Sequence, residues 1–351
     1  MDLAIIVIGR NEGERLRACL DSLGERLHST VYVDSGSSDG SVALARSRGA
    51  EVVELDPHTP FTAARARNAG RARALEIHGD PEFLLFLDGD CTLAEGWIDR
   101  ALKEFEAHPE AAVVCGRRRE RFPEASVFNR LCDMEWNTPL GEAEACGGDA
   151  LLRERALTEV GTYNQDMIAG EEPDLCYRLR AAGWSVRRID AEMTLHDADI
   201  KQVGQWWKRA TRSGHASAEL ARRHPKSGAT DLRRVHSAVA WSSLGWSSSL
   251  ATLLWAVWAP QAWVLWTALP VCVIALHGIQ FARIRAACLR RGDARRDAHA
   301  FAFWCLAAKT PEALGWGRFT IKRLYGTHST LIEYKGPDAS ADTSNDLARP
   351  D

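Results

Sequence analysis

Phe83-Leu84-Leu85-Phe86-Leu87-Asp88-Gly89-Asp90-Cys91 carries an apolar run straight into two carboxylates one residue apart. An apolar run of that length reads as a buried strand. Asp88 and Asp90 then stand at the carboxyl edge of a sheet, where ligands of open α/β sheets bind. Carboxylate oxygens at such an edge suit a hard divalent cation, which can hold a diphosphate beside it. Short acidic pairs also occur in solvated turns, so the neighbouring segments decide between the two readings.

Those neighbours repeat one pattern. Apolar Leu3–Ile8 precedes a helical pattern over Glu12–Leu23; Thr30–Val33 precedes Gly40–Arg48; Glu51–Leu55 precedes Thr62–Leu75; Phe83–Leu87 precedes Trp97–His108. This alternation predicts an α/β domain with a mostly parallel sheet and helices on both faces. Asn11 and Glu12 follow the first strand, Asp34 the second, and Asp88 with Asp90 the fourth, so one topology gathers them in one crevice. After Ala111–Cys115 the stretch Arg117–Gly148 is irregular. Its Arg117-Arg118-Arg119 run and the aromatics around Trp136 either shape an acceptor pocket or cover a sheet edge.

The 351 residues suffice for one catalytic domain of about 200 residues and an appendage. The formal charge of −3 is near balance and no nucleic-acid partner is expected. Nine cysteines are scattered without CxxC or metal-finger spacing, so reduced thiols and no disulfide framework are expected. The N-terminus lacks a basic leader and a small-residue cleavage site, and reads as the first strand.

Ten of thirteen tryptophans lie beyond residue 200, in segments rich in Leu, Ala and Val and flanked by Arg, as in membrane-interface anchoring. No Asp, Glu, Lys or Arg occurs in the 42 positions from Trp241 to Ala282, enough for two crossings with a turn at Ala259-Pro260-Gln261. Basic residues bracket both ends, which predicts a helical hairpin with both ends cytoplasmic. The alternative is a hydrophobic helix pair packed against the enzyme or in a dimer interface, since Ser242, Ser243 and Ser247–Ser249 dilute the first crossing. Phe301–Trp316 contains Lys309 and Glu312 and suits a helix lying at the membrane interface. The expected organisation is a catalytic domain over 1–200, a basic amphipathic linker over 201–236, the hairpin over 237–282, an interfacial segment over 283–335 and a disordered tail over 336–351.

Val33-Asp34-Ser35-Gly36-Ser37-Ser38-Asp39-Gly40 links a strand to a helix. Its small residues let backbone approach a ligand, and Asp34 can accept hydrogen bonds from a base or ribose, while Asp39 or Ser38 reads as a helix cap. Ile5-Ile6-Val7-Ile8-Gly9-Arg10-Asn11-Glu12, this segment, Ala66-Arg67-Asn68-Ala69-Gly70 and Phe86-Leu87-Asp88-Gly89-Asp90 together resemble the family 2 glycosyltransferases of GT-A fold. The resemblance covers about residues 3–200. It implies inverting transfer from a nucleotide-diphospho-sugar, usually with Mg²⁺ or Mn²⁺. By the same resemblance Asp34 is the nucleoside-binding acid, with Asn11 and Glu12 in its pocket, and Arg67 meets the diphosphate side. Asp90 is the direct metal ligand, and Asp88 faces the ribose or a metal-bound water. Ser35 stands where many members have a second Asp, which leaves the base open.

Gly170-Glu171-Glu172-Pro173-Asp174-Leu175 matches the family's Gly-Glu-Asp-x-Asp-Leu, whose second acid takes the proton from the acceptor hydroxyl. Glu172 holds that position, one methylene longer, which either shifts the acceptor or moves the role to Glu171. Pro173 as first helical residue would put Glu172 at the helix N-cap, where the positive helix end favours the ionised form. Otherwise Glu172 is a capping carboxylate, and Asp174 with Arg178 forms an i,i+4 pair in either case. His196, beyond a strand expected over Ser185–Ile189, either completes the metal shell or is structural. Lys208, Arg209 and Arg212, in the cationic segment with Trp206 and Trp207, either screen the leaving diphosphate or rest on anionic lipid. A hairpin in the cytoplasmic leaflet suggests a glycan or lipid-linked acceptor. The two departures at Ser35 and Glu172 leave a nucleotide-sugar-binding scaffold without turnover as the alternative.

Overall fold

The computed structural model describes residues 2–225, 229–259, 261 and 263–326. Two compact units emerge, residues 1–198 with 219–232, and residues 199–218 with 233–351. The expected tail over 336–351 and Pro260 of the expected turn lie outside the described residues.

In the first unit the chain runs β1 (Leu3–Gly9), α1 (Glu14–Asp21), β2 (Thr30–Asp34), α2 (Ser41–Ser47), β3 (Glu51–Glu54), α3 (Ala63–His78), β4 (Phe83–Asp88), β5 (Cys91–Leu93) and α4 (Trp97–Ala107). It continues with β6 (Ala111–Glu120), α5 (Val127–Glu135), β7 (Gly141–Glu142), β8 (Ala150–Arg153), α6 (Glu154–Val160), α7 (Glu171–Ala181) and β9 (Ser185–His196). The sheet order is β3-β2-β1-β4-β8-β6-β9-β5, with β7 also on β9. Strands β3, β2, β1 and β4 are parallel, whereas β8 runs antiparallel between β4 and β6. The expected α/β domain with a mostly parallel mixed sheet is what forms.

The core follows from the apolar runs. Strands β1 and β4 are buried on both faces, with Ile5, Ile6, Val7, Leu84, Leu85, Phe86 and Leu87 at most 1% exposed. At Gly70, α3 comes so close to β1 and β2 that any side chain would strike Ile6 and Val33. The register pairs Gly9 with Asp34 and Ile8 with Asp88, so the exits of β1, β2 and β4 lie side by side. That is the crevice expected from the strand pattern.

Three local readings are corrected. The irregular stretch begins later than expected, because β6 runs to Glu120 and carries Arg117, Arg118 and Arg119 as strand residues paired with β9. Strand β9 likewise runs past Ile189 and ends on His196, paired with Cys91. Helix α7 begins at Glu171 on a left-handed Gly170 (φ 87°), so Glu172 sits inside the first turn and not at the N-cap. Glycine reaches that φ without strain, and a proline deeper in the first turn costs nothing because those N–H groups lack helical acceptors anyway.

Beyond β9 the helices are α8 (Val203–Arg223), α9 (Ala229–Trp258), α10 (Trp263–Arg291), α11 (Arg295–Ala307) and α12 (Lys309–Leu324). Phe301–Trp316 is therefore two helices meeting at Ala308, with Pro311 in the first turn of α12, where its missing N–H is tolerated. Within the second unit Trp206 packs on Trp304 with ring centroids 4.6 Å apart, and Gly315 lets α12 touch the Thr211 carbonyl of α8. Thr267–Arg291 is long and apolar enough to cross a membrane, and it is the one such helix among the described residues. Helix α9, diluted by its serines, does not meet that measure, yet it exposes Trp246, Leu250, Leu253, Val257 and Trp258.

Candidate active site

Asp34 ends β2 and is 2% exposed. Its Oδ1 accepts from the Tyr32 hydroxyl at 3.0 Å, and its Oδ2 accepts from the backbone of Gly36 at 3.0 Å and Ser37 at 2.7 Å. Three of about four lone-pair sites are thus used within its own loop. Asn11, at a left-handed φ of 55°, accepts from the Ser38 N–H at 2.7 Å, and its own N–H donates to Ser37 Oγ at 2.9 Å. Together they tie the exit loops of β1 and β2 into one rim. Glu12 opens the turn into α1 and pairs with Arg15 at 2.9 Å. The N-cap of α2 is Gly40 and not Asp39 or Ser38; Asp39 instead accepts from the Ser41 N–H and hydroxyl at the helix start, a structural role.

Arg67 and Asn68 divide the work at the middle of the crevice. Asn68 fastens the loop that leads to α7, donating to the Tyr163 carbonyl at 2.7 Å and accepting its N–H at 3.1 Å. Arg67, 2% exposed, donates to Asp88 at 3.0 Å and Glu171 at 3.0 Å, and pairs with Glu172 at 3.1 Å. Burial alone would lower its pKa, but the carboxylates of Glu172, Asp88 and Glu171 outweigh that and hold it charged. Asp88 is also met by Arg118 at 3.4 Å. Burial pushes the Asp88 carboxyl up, yet Arg67 and Arg118 win and hold it below its ordinary value. Glu172 shows the opposite balance: burial, then the neighbouring Glu171, drive its pKa up to about 7 against the pull of Arg67.

Asp90 turns the other way. Its Oδ2 lies 3.3 Å from His196 Nε2 across the β5–β9 pairing, and both residues are 5% exposed. Their ligand atoms and Cys91 Sγ all lie within 4.8 Å of one another. A carboxylate and an imidazole form an uncommon but workable set for Mn²⁺. Burial raises the Cys91 thiol far above its ordinary value, so it stays protonated and is a poor ligand for such an ion. The structure thus brings Arg67, Asp88, Glu171 and Glu172 into one network and sets Asp90 with His196 in a second, adjoining one.

Residues 4–146 match the family model of glycosyl transferase family 2. Over these residues the front domain is similar to that family. A pre-mycofactocin glycosyltransferase of Mycobacterium tuberculosis is 28% identical over 267 residues, covering 72% of this chain and 54% of that protein. A succinoglycan biosynthesis protein, ExoA of Rhizobium meliloti, is 26% identical over 210 residues, covering 56% of this chain and 61% of its own. The chain thus spans little more than half the length of these relatives. Among solved structures, a mannosyltransferase of Pyrobaculum calidifontis in complex with GDP-Man and Mn²⁺ is similar with 19% identity and a TM-score of 0.46, covering 78% of this chain and 86% of that one.

Two residues whose place beside Asp88 motif reading does not foresee complete the site. Asp149, fully buried before β8, accepts from the Asp88 N–H at 3.0 Å and the Thr194 hydroxyl at 2.7 Å, and pairs with Arg118 at 2.7 Å. Arg118 also lies over the Trp136 ring, 5.6 Å from its centroid, while Trp136 stands edge-on to His196 at 4.8 Å. The sequence signals were present, as an acid after Gly147-Gly148 and an arginine triplet, but their convergence depends on the β6–β8 and β6–β9 pairings. Gly148 is obligatory there, since a Cβ would lie 2.6 Å from both the Arg67 guanidinium and the Asp88 carboxylate. Two arginines thus pair with four carboxylates, those of Asp88, Asp149, Glu171 and Glu172, and Asp90 adds a fifth beside His196. The surplus of negative charge, with His196 beside Asp90, fits a divalent cation.

Proposed function

We propose that the protein is an inverting glycosyltransferase that moves a sugar from a nucleotide-diphospho-sugar to an acceptor hydroxyl. The observation that carries this reading is the shared guanidinium of Arg67, which couples Asp88 on the donor side to Glu172 on the acceptor side. Asp90 and His196 are the residues that would hold Mn²⁺ or Mg²⁺, with Asp88 in support. The bound cation would offset charge on the departing diphosphate. The rim of Asn11, Glu12 and Asp34 receives the nucleoside, and Asp34 acts chiefly by fixing the loop that meets the base.

Glu172 takes the acceptor proton, since a carboxyl titrating near 7 is ionised in a useful fraction at neutral pH and binds a proton well once transferred. The acceptor oxygen then bonds to the anomeric carbon as the bond from that carbon to the diphosphate breaks. A single displacement of this kind inverts the configuration. Glu171, paired with Arg67, raises the basicity of Glu172 through its own charge.

We assign the place of action to the cytoplasmic face of the cell membrane, with α9 and α10 embedded in it and a glycan or lipid-linked hydroxyl as acceptor. The apolar length of Thr267–Arg291 and the exposed leucines and tryptophans of α9 support this. The deciding experiment incubates the full chain, in membranes, with UDP-, GDP- and TDP-sugars and Mn²⁺. Transfer by the wild type, with Glu172→Gln retaining nucleotide binding and losing transfer, is the expected result. Nucleotide binding without transfer in the wild type would establish a binding scaffold in its place.

A further inference from the structure

Cys146 and Cys176 bring their sulfurs to 3.7 Å although 30 residues separate them in sequence. Cys176 lies on α7, fully buried, five positions after Glu171. Cys146 is half-buried in the segment that runs from β7 into Gly147-Gly148. The contact therefore joins the helix that carries Glu171 and Glu172 to the glycine pair that abuts Asp88 and Arg67.

The two ends of this contact differ in freedom. Helix α7 is held from three sides: Arg178 donates to the carbonyls of Val160, Gly161 and Thr162 at 2.8 to 3.0 Å, Asp174 meets His224 at 2.8 Å, and Tyr177 donates to Asp231 at 2.6 Å. The other end is a short span between the Ala143 N–H, bonded to the Val186 carbonyl at 2.8 Å, and the triply held Asp149, with Glu144 accepting from the Thr230 hydroxyl at 3.2 Å. A disulfide requires a sulfur separation of about 2.05 Å, a closure of about 1.6 Å from the 3.7 Å observed. The short span must supply that movement. Gly148 has no slack, because even a Cβ there would come within 2.6 Å of Arg67 and Asp88.

We propose that Cys146 and Cys176 are a redox-sensitive pair, and that a disulfide between them displaces Gly147-Gly148 and weakens donor binding at the Asp88–Arg67 site. The oxidant is hydrogen peroxide. It oxidises the thiol of Cys146, the less buried residue of the pair, to a sulfenic acid with release of one water. The Cys176 sulfur then attacks the Cys146 sulfur, forming the S–S bond and expelling hydroxide, which leaves as a second water with the Cys176 proton. Two thiols lose two electrons in all, and the peroxide O–O bond takes them up. The contact between them lowers the Cys176 pKa and, together with burial, raises that of Cys146, which makes Cys176 the attacking sulfur of the pair. The effect on the donor rests on the function proposed above, whereas formation of the disulfide does not.

The test treats the full-length protein in detergent with hydrogen peroxide, then counts thiols and maps peptides without reduction. The expected result is loss of two of the nine thiols and a Cys146–Cys176 peptide. Stabilisation by Mn²⁺ with UDP or GDP should weaken at least fivefold in apparent affinity and return with dithiothreitol. Cys146→Ser and Cys146→Ala should both abolish the cross-link and leave nucleotide stabilisation insensitive to peroxide. A cross-link to Cys115, no loss of thiols, equal sensitivity in the Cys146 variants, or a disulfide without effect on nucleotide stabilisation would each overturn the proposal. If the reduced wild type binds no nucleotide, the glycosyltransferase reading fails, while the peptide map still decides the disulfide.

Discussion

Nη2 of Arg67 lies 3.1 Å from the Glu172 carboxylate and 3.0 Å from the Asp88 carboxylate, so one nitrogen bridges the β4 exit and the first turn of α7. Arg67 is 2% exposed, and Nη1 holds Glu171 as well. Lysine keeps the charge but has no planar fork to meet three carboxylates at once. Arg67→Lys is therefore expected to lower kcat/KM by 100-fold or more. Arg67→Met leaves the buried Glu171 and the partly buried Glu172 without their cation and Asp88 with Arg118 alone, and should cost about 3–5 kcal/mol of stability, the range for breaking a buried pair. Urea unfolding of the two variants, compared at pH 5 and pH 8, checks this: the Met variant should lose less at pH 5, where carboxylates protonate.

How far the sequence foretold this arrangement depends on how local each signal was. Strands β1, β2 and β4 and their polar exits were legible because apolar runs and turn residues lie within about ten positions of each other. Arg67 was expected near a diphosphate, but its three acid partners come from β4 and α7, up to 105 residues away, and only folding brings them together. Asp149 and Arg118 were hidden for the same reason. The N-cap of α7 was misplaced because Pro173 fits several positions of a first turn, whereas the left-handed φ of Gly170 decides the start.

The pH dependence follows from Glu172. Its folded pKa of about 7 lies above the ordinary 4.5, raised by burial and by Glu171. Between those values the folded chain binds more protons than the unfolded chain, so this group's contribution to stability falls as pH rises from about 4.5 to about 7 and is constant above. The total is on the order of 3 kcal/mol. Turnover should rise over the same region, with an apparent pKa near 7 in kcat/KM. Glu172→Gln is expected to lose at least 1,000-fold in transfer and to be more stable than wild type above pH 7, as measured by thermal unfolding across pH.

Asp90 and His196 make the metal prediction. If they hold the cation, Mn²⁺ with UDP or GDP should raise the unfolding temperature of the wild type, since ligand at 100 times its dissociation constant adds about 2.7 kcal/mol. Asp90→Asn should remove the metal-dependent part of the shift, and His196→Gln should weaken it by about tenfold. Chelation should return the wild type to the unliganded midpoint. A shift that survives in Asp90→Asn would place the cation elsewhere.

Membrane embedding predicts that the full chain stays with the membrane pellet through alkaline carbonate and leaves it only in detergent. Ile274 of α10 and Leu253 of α9 are 70% and 63% exposed, so neither supports packing within its own unit. Arginine at the centre of a spanning helix costs about 2.5–3.5 kcal/mol on insertion scales. Ile274→Arg should therefore move a measurable fraction of the protein into the carbonate supernatant. A helix pair buried in a dimer of a soluble enzyme would instead leave the wild type in the supernatant from the start.

Asp149 tests whether the two networks of the site are mechanically one. It is fully buried and holds the Asp88 N–H, the Thr194 hydroxyl two residues before His196, and the Arg118 guanidinium. The carboxylate thus spaces the strand that presents Asp88 from the strand that presents His196. Asparagine has the same shape but only one acceptor oxygen, and its amide cannot satisfy a guanidinium. Asp149→Asn should therefore destabilise the protein by about 3–5 kcal/mol, because the fully buried Asp149 site loses its charge and the partly buried Arg118 is left with the 3.4 Å contact to Asp88. Both Mn²⁺ affinity and donor KM should worsen together, by roughly tenfold each, because Asp88 and His196 lose the same spacer. Arg118→Lys, which retains a cation beside Asp149, should spare metal affinity and affect donor KM alone. Measuring the two constants in both variants separates a spacer from a bystander: a change in stability with neither constant altered would confine Asp149 to the fold.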